Sequence, residues 1–460
     1  MIANLQPYPE YKESGLSWVE QVPSHWSLRR NGGLFSQRNE TGFPDLPILE
    51  VSIKSGVRVR NLENGTRKQF MADRRKYKRA LVGDLAYNMM RMWQGAAGRV
   101  PVDGLVSPAY VVARPLPGSD SRYFELLFRT PSYQGEVNNV SRGIVSDRNR
   151  LYWEDFKQLP SPLPPPEDQA AMVRFLDYAN GRLERAIRAK RKVITLLHEQ
   201  KQAIIHLAVT RGLDPSVPLK PSGIPWLGDI PKHWDVKRLK AISQIRYGLG
   251  QPPRETETGL PLIRATNVDH GRILEKNLVR VDPADVPKTR NAFLKAGEII
   301  VVRSGALTAD SAIIPKEYEG AVAGYDMVVS VKRARPEFIA MALLSSYVQT
   351  DQLMIASMRA AQPHLNAEEL GTAVLLLPPD EAQKQIVELV RNESLPIDTA
   401  INRLVREIEL LQEYRTRLVA DVVTGKLDVR FAARRLPTAP TESEAEDPPD
   451  TEPEEEPQVG

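Results

Sequence analysis

The chain repeats itself, and this internal repeat restricts its possible folds more than any other feature. Residues 14–30 read SGLSWVEQVPSHWSLRR, and residues 222–238 read SGIPWLGDIPKHWDVKR. Further matches recur along nearly the whole 460-residue chain, first about 208 and then about 214 positions apart. Self-similarity at one long period indicates two copies of one structural unit. We therefore predict a fold built from two similar halves.

Each half has a strand-rich part followed by a helical part. The strand-rich parts contain short runs such as LPILEVSI and AGEIIVVRS, separated by Gly, Pro and Asn-Gly turns. The helical parts open with prolines and acidic residues, which favour the first turn of a helix, so helix starts are predicted at Pro166 and Pro379. The predicted class is α+β, with two mixed α/β globules in a pseudo-symmetric tandem repeat.

The helical parts also carry a heptad pattern of apolar residues. Amphipathic helices usually reflect ordinary core packing, but two matched copies supply each other with a partner of equal length. We therefore predict that the two long helices pack as an antiparallel coiled coil. The predicted seam consists of Leu183, Ile187, Ile194, Leu197 and Ile204 in the first copy and Ile397, Ile401, Leu404, Ile408, Leu411 and Leu418 in the second.

These patterns predict five regions along the chain. The first globule spans 1–164 and the first helical region 165–214, followed by the second globule at 215–377 and the second helical region at 378–430. Residues 431–460 are rich in Pro, Glu and Asp, and such a sequence cannot bury enough apolar surface to offset the entropy of ordering. We predict that this last region is a disordered acidic tail.

The charge distribution suits a polyanionic partner. The formal net charge is +4, but residues 442–456 hold nine acidic side chains and no basic one, so the rest of the chain carries +13. A body this basic favours nucleic acid binding, although a well-solvated surface explains the charge equally well. The chain has no cysteine, which excludes disulfides, thiolate metal sites and a cysteine nucleophile. Neither a signal peptide nor a membrane span is recognisable, so we expect a cytoplasmic protein without a membrane partner.

Motifs for catalysis are weak or missing. No Pro-Pro pair has the Asn/Asp-Pro-Pro-aromatic form of an amino-methyltransferase, and the glycine-containing turns YGLGQPP and VVTGKLD lack the residues of cofactor or phosphate loops. Acidic triplets such as that at Asp155 occur by chance in so charged a chain. His198 and His206 lie eight positions apart without a third ligand nearby in sequence. We therefore expect no catalytic site, metal site or bound cofactor in this chain.

The repeated Pro-x-His-Trp sequence has a structural interpretation. His25 and His233 each precede a tryptophan in this short motif. We interpret the motif as a rigid turn that packs Trp26 and Trp234 into the core, and not as a pair of catalytic histidines.

Basic side chains interleaved with aromatics and amides are what DNA recognition requires. Arginine donates two hydrogen bonds to guanine O6 and N7, asparagine or glutamine forms a pair of hydrogen bonds with adenine, and lysine binds phosphate. For any single residue a solvated surface position is the more common role, but the set as a whole indicates DNA binding. The candidates are Lys54, Arg58, Arg74, Arg75, Lys76, Arg91, Trp93, Gln94, Arg142, Arg148 and Asn149 in the first half and Arg246, Tyr247, Gln251, Arg254, Arg264, Asn267, Arg303, Ser304, His364 and Asn366 in the second.

Two motifs together carry a family resemblance. Each globule opens with G-x-x-W-x-x-x-[IV]-P-x-H-W, at 15–26 and 223–234, and each helix starts with a PPxxxQ-like sequence, at 165–169 and 378–383. This order resembles the specificity subunit of type I restriction-modification enzymes over nearly the whole chain except the acidic tail. The first half departs from the family pattern, with AYNMMRMWQ where the second half has VVRSG.

The resemblance implies a non-catalytic role. Each globule would be a target-recognition domain that reads one half of a split double-stranded DNA target, and the helices would set the spacer and dock two modification (methyltransferase) subunits. S-adenosylmethionine, ATP and Mg would then belong to the partner subunits, including motor-nuclease subunits that restrict unmodified DNA. Two alternatives stay open at this point: a stand-alone bipartite DNA-binding protein, and an enzyme with its own nuclease site.

Overall fold

The computed structural model describes residues 5–60, 73–141, 149–224, 227–287, 291–358 and 362–437. The chain divides into two units, residues 1–188 with 407–460, and residues 189–406. Each unit contains one strand-rich globule and part of both long helices, so the units do not follow the predicted region boundaries. The candidates Arg142 and Arg148 and residues 438–460 of the predicted tail lie outside the described residues.

The first unit is built around an antiparallel sheet of four strands in the order β4-β11-β8-β9. Asp120 caps α1 and Thr130 caps α2 through their side-chain oxygens, which determines where both helices begin. The strands are β1 Tyr11–Leu16, β2 Val19–Pro23, β3 Ser27–Arg30, β4 Phe35–Arg38, β5 Leu49–Ser52, β6 Gly56–Val59, β7 Lys78–Ala80, β8 Leu85–Asn88, β9 Ala97–Arg99, β10 Gly104–Val106, β11 Tyr110–Pro115 and β12 Pro160–Leu163; the helices are α1 Ser121–Phe128, α2 Pro131–Val140, α3 Trp153–Phe156 and α4 Pro166–Arg211.

Aromatic side chains fill the core of this unit. Phe35 of β4 contacts Phe124 of α1 with ring centroids 5.1 Å apart, and Phe128 contacts Tyr133 of α2 at 4.7 Å. All four side chains are fully buried. Tilted and edge-to-face ring pairs of this kind add to the free energy gained by burial, so they anchor the helices on the sheet.

The second unit contains the equivalent antiparallel sheet, β16-β25-β22-β23, and a second four-stranded sheet, β17-β21-β18-β24. Its strands are β13 Leu219–Pro221, β14 Asp229–Pro231, β15 Asp235–Arg238, β16 Ser243–Tyr247, β17 Glu255–Thr256, β18 Leu260–Ile263, β19 Val268–Asp269, β20 Arg272–Ile273, β21 Val279–Val281, β22 Ile299–Val301, β23 Ser311–Ile313, β24 Val322–Ala323, β25 Met327–Val331 and β26 Val374–Leu377; its helices are α5 Leu239–Ile242, α6 Pro336–Leu344, α7 Ser346–Val348, α8 Ile355–Ser357, α9 Ala367–Thr372 and α10 Asp380–Val423, the last shared with the first unit.

The two long helices begin where the sequence predicts them. The first starts at Pro166 and the second at Asp380, next to the predicted Pro379. In both units a short antiparallel strand pair leads into the helix, β3 with β12 and β15 with β26. The helices continue without interruption through Gly181 and Pro396, although glycine and proline have low helix propensity. Both helices are therefore longer than the heptad segments alone indicate.

Within each unit the long helices contact each other. In the first unit Arg415 of α10 donates to Glu184 of α4 at 2.8 Å, and in the second Lys201 of α4 donates to Asp398 of α10 at 2.9 Å. The early part of each helix thus meets the late part of the other, which is the order of antiparallel helices. Of the seam side chains, Leu183, Ile187, Ile397, Ile401, Ile408 and Leu418 are buried, and Ile194, Leu197, Ile204, Leu404 and Leu411 are half-buried.

The two repeated tryptophans are packed inside their units. Trp26 and Trp234 are almost completely buried. A Cβ placed on Gly425, just after α10, would lie 2.9 Å from the Trp26 ring, and one on Gly212, just after α4, would lie 3.0 Å from the Trp234 ring. Each tryptophan therefore packs against the chain that leaves a long helix, as the packing interpretation of the motif requires.

The end of the described chain returns to the first unit. Asp428 N–H donates to the Gln6 carbonyl oxygen at 2.8 Å, and a short helix, α11, spans Arg430–Arg434. Ala433 and Leu436 are buried in the core of this unit. The prediction that the tail begins at residue 431 is therefore wrong for 431–437, because these apolar side chains find a binding surface that composition alone does not reveal. Among the described residues no helix is both long and apolar enough to cross a membrane.

Candidate nucleic-acid interface

Three strand ends converge at one end of the main sheet of the second unit. The register pairs Met327 of β25 with Tyr247 of β16 on one side and with Val301 of β22 on the other. Arg303 lies two residues beyond the end of β22, and Tyr325 lies two residues before the start of β25. These three side chains are therefore brought together by the register of the sheet.

The Arg303 guanidinium lies between two tyrosine rings. Its carbon is 4.7 Å from the ring centroid of Tyr247 and 4.2 Å from that of Tyr325, and its Nη2 is 3.0 Å from Nε2 of His364. A guanidinium can only donate, so the histidine nitrogen accepts this hydrogen bond. Tyr247 is 38% and Tyr325 47% exposed, so a cation and two aromatic faces stand at the protein surface.

A buried carboxyl group lies beneath this cluster. Asp326 is buried and its Oδ1 accepts the backbone N–H of Arg303 at 3.2 Å. Burial raises the pKa of Asp326 from 3.8 to about 6, although hydrogen bonds from the backbone and the charge of Arg303 act in the opposite direction. The carboxyl group thus ties the loop that carries Arg303 to the start of β25.

We expect Asp326→Asn to reduce the pH dependence of stability between about pH 4 and 6. Because the folded-state pKa is raised, the wild type has its full contribution from the protonated carboxyl group below pH 4 and loses it as the pH rises through 6. The pKa difference corresponds to about 3 kcal/mol in the free energy of unfolding. Urea unfolding of both proteins at pH 4, 5, 6 and 7 measures this slope, with Asp351→Asn as an exposed control. Parallel pH profiles for wild type and Asp326→Asn would contradict the assignment.

The first unit has the same backbone hydrogen bond at the position equivalent to Arg303, but a different side chain there. Leu151 N–H donates to the Met89 carbonyl oxygen at 2.9 Å, and Leu365 N–H donates to the Arg303 carbonyl oxygen at 2.7 Å. Both residues of each pair are 214 positions from their counterparts, so Met89 stands where Arg303 stands in the second unit. The loop after Met89 holds the candidates Arg91 and Trp93, and the Trp93 indole donates to the Met90 carbonyl oxygen at 3.0 Å.

Other candidates vary in their accessibility. Arg58 pairs with Glu50 at 2.5 Å, Asn149 donates to Asn138 at 2.8 Å, and Arg264 donates to the Asn277 carbonyl oxygen at 3.0 Å. The exposed candidates are Lys54, Arg58, Arg74, Arg75, Lys76, Tyr247, Gln251 and Arg254, and the half-buried ones are Arg91, Trp93, Gln94, Asn149, Arg264, Arg303, Ser304, His364 and Asn366.

Arg246 has a structural role that corrects its prediction as a DNA contact. Its guanidinium donates to both carboxylate oxygens of Glu298 at 2.6 Å. Although burial raises the pKa of Glu298, hydrogen bonds from Arg246 and Ser330 hold it below its usual value. In the first unit Arg38 pairs with Asp84 at 2.7 Å in the matching positions. This structural role could be predicted from the repeat. Arg38 and Arg246 lie 208 positions apart and Asp84 and Glu298 lie 214 positions apart, the same offsets as the motifs around them.

Two candidate asparagines also serve the fold. Asn267 is fully buried, and its amide donates to the Leu274 and Lys276 carbonyl oxygens at 3.1 and 3.2 Å. Asn366 caps α9 by accepting the N–H of Glu369 at 2.8 Å. The prediction that Asn267 reaches a base is corrected, because its side chain is buried and its amide group is bonded to the backbone. For Asn366 the side-chain oxygen serves as the helix cap, and the contact with a base stays a prediction. Conversely, Tyr325 was not predicted, although a tyrosine beside the glycine between β24 and β25 is a recognisable signal.

One group of side chains has the composition of a metal site. Ligand atoms of Asp269, His270 and Asp310 lie within 4.8 Å of one another. The Asp310 carboxylate, however, accepts the backbone N–H groups of His270 and Ser311 at 3.0 and 2.8 Å. His198 approaches from α4 with its ring centroid 5.5 Å from that of His270. These contacts give the three side chains a structural role, because they join the β19–β20 hairpin to Asp310 and to α4.

Comparison with known proteins identifies the relatives of this architecture. Residues 231–407 match the family model of the type I restriction modification DNA specificity domain. The type I restriction enzyme MjaVIII specificity subunit of Methanocaldococcus jannaschii is 24% identical over 285 residues, covering 60% of this chain and 64% of the relative. The EcoKI specificity subunit of Escherichia coli is 20% identical over 310 residues, covering 65% of this chain and 64% of the relative. The chain thus spans somewhat less than two thirds of the length of both.

A solved structure shares the fold. It belongs to a study of complex assembly and conformational transition of the type I R-M system, and it matches with a TM-score of 0.59 at 14% identity. The match covers 88% of this chain and 99% of the other. Residues 231–407 thus resemble the type I restriction modification DNA specificity domain, and the chain is similar to specificity subunits of type I restriction enzymes over 60–65% of its length.

Proposed function

We propose that this chain is the non-catalytic subunit that gives a type I restriction-modification complex its DNA sequence specificity. The observation that carries the proposal is the family match over residues 231–407, which lies on the unit containing the Arg303 cluster. In this role the chain acts in the cytoplasm and binds double-stranded DNA without altering it.

Each globule reads one half of a bipartite DNA target. Support comes from the matched sheet ends, where the same backbone hydrogen bond holds Met89 in one unit and Arg303 in the other. A common frame with different side chains is suited to reading two different half-sites, because base contacts carry the sequence information. The exposed lysines and arginines near 54–58 and 74–76 supply phosphate contacts that position the protein on the duplex.

The long helices set the spacer and dock two modification subunits. Leu196 of α4 and Leu410 of α10 occupy matched positions in the repeat and are 53% and 47% exposed. They lie beside the seam residues Leu197 and Leu411, so they are not used to join the two helices. Apolar side chains exposed at equivalent places on two helices suit two copies of one partner.

The chemistry resides in the partners. The modification subunits bind S-adenosylmethionine and methylate adenine, and the motor-nuclease subunits use ATP and Mg to restrict unmodified DNA. This chain determines the DNA sequence at which both reactions take place.

The test is a genome-wide map of methylated adenines in the native host with and without this gene. We expect a split motif, with two fixed half-sites and a fixed spacer, that disappears when the gene is deleted and returns when it is restored. An identical methylation map in both strains contradicts the proposal. In that case DNA binding by the purified chain without any co-purifying methyltransferase would favour a stand-alone DNA-binding protein.

A further inference from the structure

We propose that Arg303 is the residue with which the second unit reads a guanine, by donating two hydrogen bonds to O6 and N7 in the major groove. This assignment rests on the proposed function and names one specificity-determining contact within it. It starts from the guanidinium held between Tyr247 and Tyr325 at the end of the main sheet.

The backbone of Arg303 is fixed on both sides. Its N–H donates to the buried Asp326 carboxyl group at 3.2 Å, and its carbonyl oxygen accepts the N–H of Leu365 at 2.7 Å. A β-bridge between Ser304 and His364 holds the next residue. The arginine thus projects from a rigid position, which reduces the entropy lost when it binds a ligand.

The side chain is fixed as well. The two tyrosine rings hold the guanidinium plane, and the hydrogen bond from Nη2 to His364 sets its rotation within that plane. The hydroxyl oxygen of Tyr247 in turn accepts the N–H of Ala367 at 2.8 Å, so that ring is itself held in place. Arginine is suited to such a site because it is planar and stacks on aromatic faces, properties that lysine lacks.

Most N–H donors of the Arg303 guanidinium have no hydrogen-bond acceptor among the described residues and are therefore available to a ligand. A guanidinium has five N–H donors, and among the described residues His364 supplies its hydrogen-bond acceptor. The Nε atom is buried and has no acceptor within that part of the chain, so the donors available to a ligand are those on the two Nη atoms. A flat group with two adjacent acceptors would use the remaining donors, and the O6/N7 edge of guanine is the commonest such partner in DNA. A phosphate also presents two oxygens, so the test must separate sequence preference from affinity.

The repeat supports a role in specificity. Met89 occupies the matched position of the first unit on the same backbone hydrogen bond, and methionine cannot donate to a base edge. The two units thus share a backbone hydrogen bond at this position but differ in the side chain. Such a position is where two different half-sites would be distinguished. Arg246, in contrast, is matched by Arg38 in the first unit, and both form the same internal ion pair.

The experiment selects bound DNA from a library of random duplexes with the purified full-length chain. Wild type is compared with Arg303→Lys, which keeps the charge but loses the fork, and with Arg303→Met, which introduces the residue of the first unit. Arg417→Lys, at a residue exposed on α10, is the matched control. Circular dichroism and the thermal midpoint of each variant establish that it is folded.

We expect both Arg303 variants to lose preference for one G·C pair by about tenfold or more, with every other position of both half-sites unchanged. A uniform loss of affinity with the same sequence preference would overturn the guanine assignment and indicate a phosphate contact. An unchanged preference at unchanged affinity would also overturn it. If wild type itself selects no split motif, the proposed function fails, and that result is distinct from a failure confined to the Arg303 variants.

Discussion

Replacing Trp26 with alanine lowers the free energy of unfolding by about 3–5 kcal/mol, the usual cost of removing a large buried aromatic side chain. Trp26 is 1% exposed, packs edge-on against Tyr8 with ring centroids 5.8 Å apart, and donates from its indole to buried Asp168 at 3.3 Å. The substitution leaves a cavity and removes a donor from Asp168. Urea unfolding followed by circular dichroism measures the loss.

The effect of Trp26→Ala extends to the end of the chain. The ring covers Gly425, and Gly425 precedes the segment in which Asp428 pairs with Gln6. We therefore expect proteolysis near residues 425–437 to become faster in this variant. Phe431→Ala is the control, because that aromatic side chain is 67% exposed and its removal should change stability by about 0.5 kcal/mol or less. A loss for Trp26→Ala no larger than that of the control would show that the repeated tryptophan is not a structural anchor.

Under the proposed function, we expect the insertion of four helical residues into each long helix to lengthen the spacer of the DNA target by about one to two base pairs. Four residues add about 6 Å to a helix, and successive base pairs are about 3.4 Å apart. The insertion belongs between Glu184 and Lys201 in α4 and between Asp398 and Arg415 in α10. Each of these intervals is 17 positions long, so equal insertions keep the Lys201–Asp398 and Arg415–Glu184 ion pairs in register.

The readout is the map of methylated adenines in a host that carries the variant gene. We expect both half-sites to keep their sequences, because neither globule is changed. The same insertion in α4 alone shifts one helix against its partner, and we expect it to abolish methylation. A double insertion that leaves the spacer length unchanged would refute the idea that the helices measure it.

The features that repeat in the sequence could be predicted before the structure was known. The duplication is visible because the same motifs recur about 208 and 214 positions apart. The helix starts near Pro166 and Asp380 follow from local residue types, and the packing of Trp26 and Trp234 follows from the repeated Pro-x-His-Trp motif. Proline and acidic residues together favour the first turn of a helix, and a heptad of apolar residues favours a helix–helix seam. Such signals depend on near neighbours in the sequence, so they survive without knowledge of the fold.

The roles of individual polar residues depended on contacts between distant segments. Arg246 and Arg303 are equivalent as sequence signals, yet Glu298 engages the first in an ion pair, whereas two tyrosines hold the second at the surface. Asn267 is an ordinary polar residue in the sequence but is fully enclosed by its own turn.

Sequence patterns alone predict two similar halves, each a strand-rich globule followed by a long helix, because repeats, apolar periodicity and helix capping depend on the order of residues along the chain. These patterns do not predict that the segment after α10 packs on Trp26, or that Arg303 lies between Tyr247 and Tyr325. Burial, ion pairing and stacking depend instead on which distant side chains the sheet register and helix packing bring within a few ångströms of one another.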